Sequence, residues 1–204
     1  MYRREARAVQ QTAERLIAFS LEQGIGNWHL FSAHHRGWAI AEQGRYEEGI
    51  ALMREAIAAA HGAGAEIGRT DRLSHLAEMC MKAGHLDDAF SIVGEALAAV
   101  DRQEERYYEP DIHRVRGEVL LRQDSSNIPQ AEECFRGAIE IAHKQSGKSL
   151  ELRAATSLAR LLRDTDRGDE ARTTLAEIYN WFTEGFDTAD LKDAKALLEE
   201  LTAL

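Results

Sequence analysis

A phrase that recurs four times, about 40 residues apart, constrains this chain more than any other feature. The first copy occupies residues 37–49 and is closed by Met53 and Ala56. The second occupies 77–89 and is closed by Val93 and Ala96. A third runs over 117–131, closed by Phe135 and Ala138, and a fourth over 159–171, closed by Leu175 and Ile178. In the first two copies a small residue (Gly37, Ala77), a turn glycine (Gly44, Gly84) and a second small residue (Gly49, Ala89) follow one another at the same spacing. That is the pattern of two helices joined by a tight turn, and its repetition predicts a helical solenoid. A stack of this kind builds an extended binding surface, where a catalytic domain would build a cleft.

The register predicts about ten antiparallel helices. A leading helix over 2–23 places Val9, Ala13, Leu16, Ile17 and Ser20 on one face. Gly24 to Asn27 end it, and Asn27 is positioned to cap its successor. Helix pairs follow over about 28–61, 67–101, 109–145 and 149–183, and a capping helix over 188–203 starts at Asp187 or Thr188. Pro110 and Pro129 both fall at predicted helix starts, where a missing N–H costs nothing. The third turn, residues 124–128, lacks the glycine and is about two residues longer. No linker interrupts the pattern, so residues 1–204 are expected to form a single repeat domain, all-α and right-handed. The orphan first helix reads as the second half of a missing pair, suggesting a segment of a longer solenoid.

Packing explains the recurrence. Close crossings are expected where small residues meet: Gly37 against Ala56, Ala77 against Ala96, and Gly117 against Ala138. Larger Leu, Ile, Met and Phe side chains fill the space between pairs, because one pair cannot bury its apolar face alone.

Composition narrows the functional classes. The formal net charge is -10, which repels phosphate backbones and argues against nucleic acid as the ligand. No apolar run is long enough for a transmembrane helix, and the N-terminus lacks a signal-peptide core, so the expected location is cytoplasmic and off the membrane. Cys80 and Cys134 lie among apolar neighbours and read as buried free thiols. The eight histidines include no His-x-x-x-His pair, so no metal and no cofactor is expected. Gly147, Lys148 and Ser149 look like the end of a phosphate loop, but Ala142 stands where that motif needs glycine. The pairs Glu47–Glu48 and Asp87–Asp88 fall at helix starts, where they favour the positive helix end. No nucleophile motif is present, so this chain is not expected to be an enzyme.

The small, turn-glycine, alanine and aromatic positions resemble the tetratricopeptide repeat, with helices longer than its usual period of about 34. Gly49 departs from it, since alanine is usual there, as do the glycine-free third turn and the missing closing proline. A second resemblance covers most of the chain. Residues 36–44, 113–118, 131–138, 149–161 and the tail 181–192 are similar to the C-terminal repeat region of large bacterial signalling regulators. Those proteins carry an adenylate/guanylate cyclase or DNA-binding domain and a signal-transduction ATPase ahead of the repeats. The resemblance implies a regulatory segment and carries over no catalysis.

It also implies a groove lined by the first helix of each pair. By register that groove takes Phe31, His34, Trp38 and Glu42; then Asp71, Ser74, Glu78 and Met81; then Asp111, Arg114, Glu118 and Arg122; then Arg153, Thr156, Arg160 and Arg163. One end is aromatic and the other basic, and guanidinium forks suit carboxylates or phosphates. Alternatively Arg114, Arg153 and Arg160 pair with Glu78, Glu118 and Glu151 within the array, and Trp38 stands open between groove and core. The functional expectation is a non-catalytic protein–protein interaction and regulatory module whose partner is a protein, a peptide or an upstream domain of the same polypeptide. Its alternatives are a small-molecule effector sensor using the groove and an oligomerisation scaffold, with homodimerisation through the uncapped first helix.

Overall fold

The computed structural model of the protein describes residues 5–203. Among them are ten α-helices, one short 3-10 turn and no strand. The helices are α1 (Ala6–Glu22), α2 (Trp28–Glu42), α3 (Tyr46–Gly62), α4 (Arg69–Ala83), α5 (Leu86–Gln103), α6 (Glu109–Gln123), α7 (Ile128–Lys144), α8 (Lys148–Asp164), α9 (Gly168–Tyr179) and α10 (Ala189–Thr202). The part of the expected first helix at residues 2–4 lies outside the described residues. Two compact units result, one ending at Glu105 and the other beginning at Arg106.

The N-terminal unit contains α1 and the pairs α2/α3 and α4/α5. Gly44 and Gly84 both adopt positive φ, 90° and 89°, which is why the repeated phrase keeps a glycine at the turn. Inside the first pair the small residues meet differently from the expectation. A Cβ on Gly37 would lie 2.8 Å from the Gly49 carbonyl oxygen and from Met53 Cγ. A Cβ on Gly49 would lie 2.6 Å from Ala41 Cβ. Residue 41 thus faces 49 while 37 faces 53, so the two helices run antiparallel with their backbones almost touching. Gly49, the departure from the usual alanine, is what that approach requires. Trp38, Ile40, Met53, Leu73, Met79 and Met81 fill the core. On α1 only Ala13 and Ser20 are buried, while Leu16, expected on the inner face, is 48% exposed.

The C-terminal unit contains the pairs α6/α7 and α8/α9, followed by α10. Gly117 packs under the Phe135 ring, 2.6 Å from where its Cβ would stand, so the aromatic side chain takes the place expected of Ala138. Pro110 and Pro129 sit in the first turns of α6 and α7, as expected. At the glycine-free third turn Asp124 is extended, its carboxylate accepts from Ser126 N–H at 2.8 Å, and a 3-10 turn (Ser125–Asn127) leads into α7. α9 stops at Tyr179, four residues earlier than expected. The chain folds back there: Tyr179 meets Phe186 at 5.9 Å between ring centroids, and Phe182 joins the cluster formed by Leu158, Leu162, Leu175, Leu191 and Leu197.

Side-chain capping is replaced by other devices. Asn27 stands at the N-cap of α2 without a side-chain cap bond. Thr188 holds the N-cap of α10, but its hydroxyl donates to the Gly185 carbonyl. At α4 the cap comes from a distant residue: Glu105 accepts from Gly68 N–H at 2.7 Å and from Thr70 Oγ1 at 3.3 Å.

Candidate functional site

Polar side chains that lose solvent must find partners inside the protein. Here they are segregated. The buried polar and charged residues are Ser32 and His34 on α2, Thr70, Arg72, Ser74, His75 and Glu78 on α4, Asp111 and Arg114 on α6, and Glu151, Thr156 and Ser157 on α8; Ser20 on α1 is the exception. The second helices α3, α5, α7 and α9 bury apolar side chains and glycine. The first helix of every pair therefore buries polar side chains among its apolar ones, and all the expected groove residues lie on those helices.

In the N-terminal unit, Lys82 of α4 bridges Glu42 of α2 and Glu78 of its own helix, the latter at 3.3 Å. His75 Nδ1 stands 3.2 Å from Asp71 Oδ1. Phe31 is half-buried, with Trp28 at 5.7 Å between ring centroids and the Arg72 guanidinium 4.8 Å above its ring. Arg72 donates to the carbonyls of Ile67 and Ala65 at 2.8 and 3.0 Å. His34, Trp38, Ser74 and Met81 are enclosed, so they support the surface and do not form it. Trp38, open between groove and core on sequence grounds, is core at 2% exposure.

In the C-terminal unit the charges form a ladder across α6, α8 and α10. Buried Asp111 accepts from Arg114 at 2.8 Å and from Arg153 at 3.3 Å. Arg114 also reaches Glu118 at 3.0 Å, and Glu118 accepts from Ser157 at 2.7 Å. Arg153 Nε lies 3.4 Å from Asp190, Arg160 donates to Asp193 at 2.8 Å, and Arg163 donates to Glu200 at 2.8 Å. Arg122 is exposed, and Thr156 is buried with its hydroxyl on the Leu152 carbonyl. Arg114 thus pairs with Glu118, one of the expected acids, while Arg153 and Arg160 are paired with Asp111, Asp190 and Asp193. Glu151 is engaged by Lys148 at 2.7 Å and His143 at 3.2 Å. Asp190, Asp193 and Glu200 come from α10, whose sequence reads only as a polar cap. The signal was present as acids on that helix, but their approach to α8 is tertiary.

The second helices carry a different periodic bond. Arg54 of α3 meets Asp88 of α5 at 2.7 Å, and Arg136 of α7 meets Glu170 of α9 at 2.6 Å. In each unit it bolts one pair to the next across the same spacing in sequence. Hydrogen bonds from Arg167 and Arg136 hold Glu132 below the usual carboxylate range, and the same arginines do so for Glu170. Glu47–Glu48 and Asp87–Asp88 lie in the first turns of α3 and α5. Cys80 is buried and Cys134 half-buried, both free, and burial pushes both thiols up. An open depression of about 350 Å³ on the C-terminal unit is lined by Arg136, Ile139, Glu140, His143, Lys144, Leu158 and Thr174. Its cations are already engaged by Glu132 and Glu170, Glu151 and Glu140. Among the described residues no group of three or more His, Cys, Asp or Glu could hold a metal ion, and no helix is long and apolar enough to cross a membrane.

These helix pairs make a tetratricopeptide-like repeat fold. No protein family description matches the chain, and no curated protein does. Solved structures do. BtubC (BKLC) from P. vanneervenii aligns over 100% of this chain and 90% of its own, with a TM-score of 0.65 at 15% identity. A Podosopora anserina protein with nearly identical TPR-like repeats, described as a kinesin light chain, aligns over 87% of this chain and 91% of its own at 18% identity, with a TM-score of 0.55. A point variant of that fungal protein aligns over 100% of this chain and 95% of its own at 16% identity, with a TM-score of 0.58. At such identities the likeness concerns the fold.

Proposed function

We propose that the chain is a non-catalytic protein-interaction and regulatory module that docks a peptide or protein segment on the first helices of its pairs. One observation carries this reading: α2, α4, α6 and α8 bury polar and charged side chains among their apolar ones, while α3, α5, α7 and α9 bury only apolar side chains and glycine. A merely structural stack has no reason to place its costly polar groups on one set of helices. Arg153, Arg160 and Arg163 are only partly covered, so a carboxylate-bearing partner can exchange with the acids of α10. The units act together as one repeat domain in this reading. It extends to a cytoplasmic bacterial signalling protein with a cyclase or DNA-binding output, on the strength of the sequence resemblance in residues 36–44, 113–118, 131–138, 149–161 and 181–192.

The test is affinity capture from the native extract with the wild-type chain and an Arg160→Glu/Arg163→Glu variant, with helicity followed by circular dichroism. Loss of specific captured species at unchanged helicity supports the docking surface; capture of the same set by both proteins sinks it. An open reading frame upstream of the Met1 codon encoding a cyclase or DNA-binding domain is the expectation for the signalling context.

Self-association is the second reading. Leu16 and Phe19, one turn apart on α1, are 48% and 52% exposed, an apolar strip on a helix that among the described residues packs on α2. Light scattering over a concentration series distinguishes a dimer from a monomer.

A further inference from the structure

His34 is the least comfortable side chain in the N-terminal unit. It is 0% exposed, and neither ring nitrogen has a hydrogen-bond partner among the described residues. A buried polar group normally finds one. Its surroundings instead collect potential positive charge. The His35 ring stands edge-on at 5.7 Å on the same helix, and the His75 ring of α4 lies at 5.9 Å. The Arg72 guanidinium, also on α4, acts on His34 from beside Phe31.

Among the described residues no carboxylate acts on His34. Asp71 of α4 stands against His75 and acts on His35. The face of α3 packed on α2 is apolar: Gly49, Ile50, Met53, Ala56, Ile57 and Ala60. From α1 the charged side chain directed at α2 is Glu14, which is taken by Arg36 at 3.7 Å. A proton on His34 therefore puts a desolvated cation among two imidazoles and a guanidinium. Closing the seam between α2 and α4 requires a neutral ring.

We propose that this seam is an acid-operated latch: a proton taken up at His34 drives the ring out and separates α2 from α4, converting the inner face of the N-terminal unit from closed to open. Burial first, then His75, His35 and Arg72, push the His34 imidazole well below its ordinary 6.5. The closed state is therefore favoured fully above pH 6.5. It is lost as pH falls below that value, the open fraction rising about tenfold per pH unit for one proton.

Trp38 reports the seam, since its ring lies 6.4 Å from that of His75 and is buried. In the full chain, Trp28→Phe and Trp181→Phe leave it as the sole indole. Between pH 8 and 5 its emission should shift to the red and become quenchable by iodide while far-UV helicity holds. His34→Leu should abolish that change. His75→Asn, which leaves His34 in place, should weaken it by relieving one of the charges against the proton. Imidazole NMR of the unmutated chain gives an independent reading, in which His34 takes up its proton together with the Trp38 change. The latch is overturned if Trp38 stays shielded down to pH 5. It is equally overturned if the same transition survives in His34→Leu, or if helicity and Trp38 shielding collapse at one midpoint.

Discussion

Gly37 and Gly49 meet backbone to backbone: a Cβ placed on Gly49 would stand 2.5 Å from the Gly37 carbonyl oxygen. Backbone atoms cannot rotate away as a long side chain can. Gly49→Ala should therefore force α2 and α3 apart and cost about 2 kcal/mol net, the overpacking penalty exceeding the gain in helix propensity. Urea unfolding monitored by circular dichroism measures it. A variant as stable as the parent would mean that the crossing is looser than described.

Gly94 and Gly137 provide the opposite case. Both sit inside helices, and a Cβ on either would meet nothing within 4 Å. Gly94→Ala and Gly137→Ala should each stabilise the chain by about 0.5–1 kcal/mol through helix propensity. Thermal melts of the single and double variants should rise additively, as the sites belong to different units.

Asp111 is the anion on which the C-terminal ladder depends. It is 2% exposed and serves both Arg114, itself 5% exposed, and Arg153. Asp111→Ala strands a buried guanidinium and should cost about 3 kcal/mol. Removing the buried pair with Asp111→Leu/Arg114→Met should recover much of that loss, because Arg153 keeps Asp190 and Glu118 keeps Ser157. A double variant no better than the single one would refute the pairing as the cause.

The surface bolt predicts acid sensitivity in a separate window. Glu132 and Glu170 are held below the ordinary 4.5 by Arg167 and Arg136, so their contribution is present above pH 4.5 and lost as pH falls through their lowered folded values. Glu132→Gln/Glu170→Gln should lower stability at neutral pH and flatten its decline as pH falls below 4.5. Denaturant titrations at several pH values check the slope, and an unchanged slope counts against the bolt.

Most of the fold was legible because helix periodicity and turn glycines are local. The ends of α2, α4 and α6 fall within about two residues of their expected places, in the range of fraying and assignment differences. Differences arose where distant residues decide. α9 ends early because the aromatic residues after Tyr179 fold back toward α10, and α4 is capped by Glu105, far along the chain. At Gly37 and Gly117 the nearest atoms belong to Gly49, Met53 and Phe135, where Ala56 and Ala138 were expected. The tetratricopeptide register put the expected groove on the surface of α2, α4, α6 and α8. It could not say that Trp38, His34 and Met81 lie beneath it.

The alternation of helices is written in local spacing and hydrophobic period, so the chain declares it before it folds. Which charges meet is a different matter, settled only when the helices pack. Arg160 and Arg163 read as a basic end until α10 brings Asp193 and Glu200 against them, and His34 reads as a groove residue until α4 closes over it. Side-chain partners depend on how helices separated by about 30 to 40 residues are rotated and staggered, and small differences in packing volume at positions such as Gly37, Gly49 and Gly117 set that stagger.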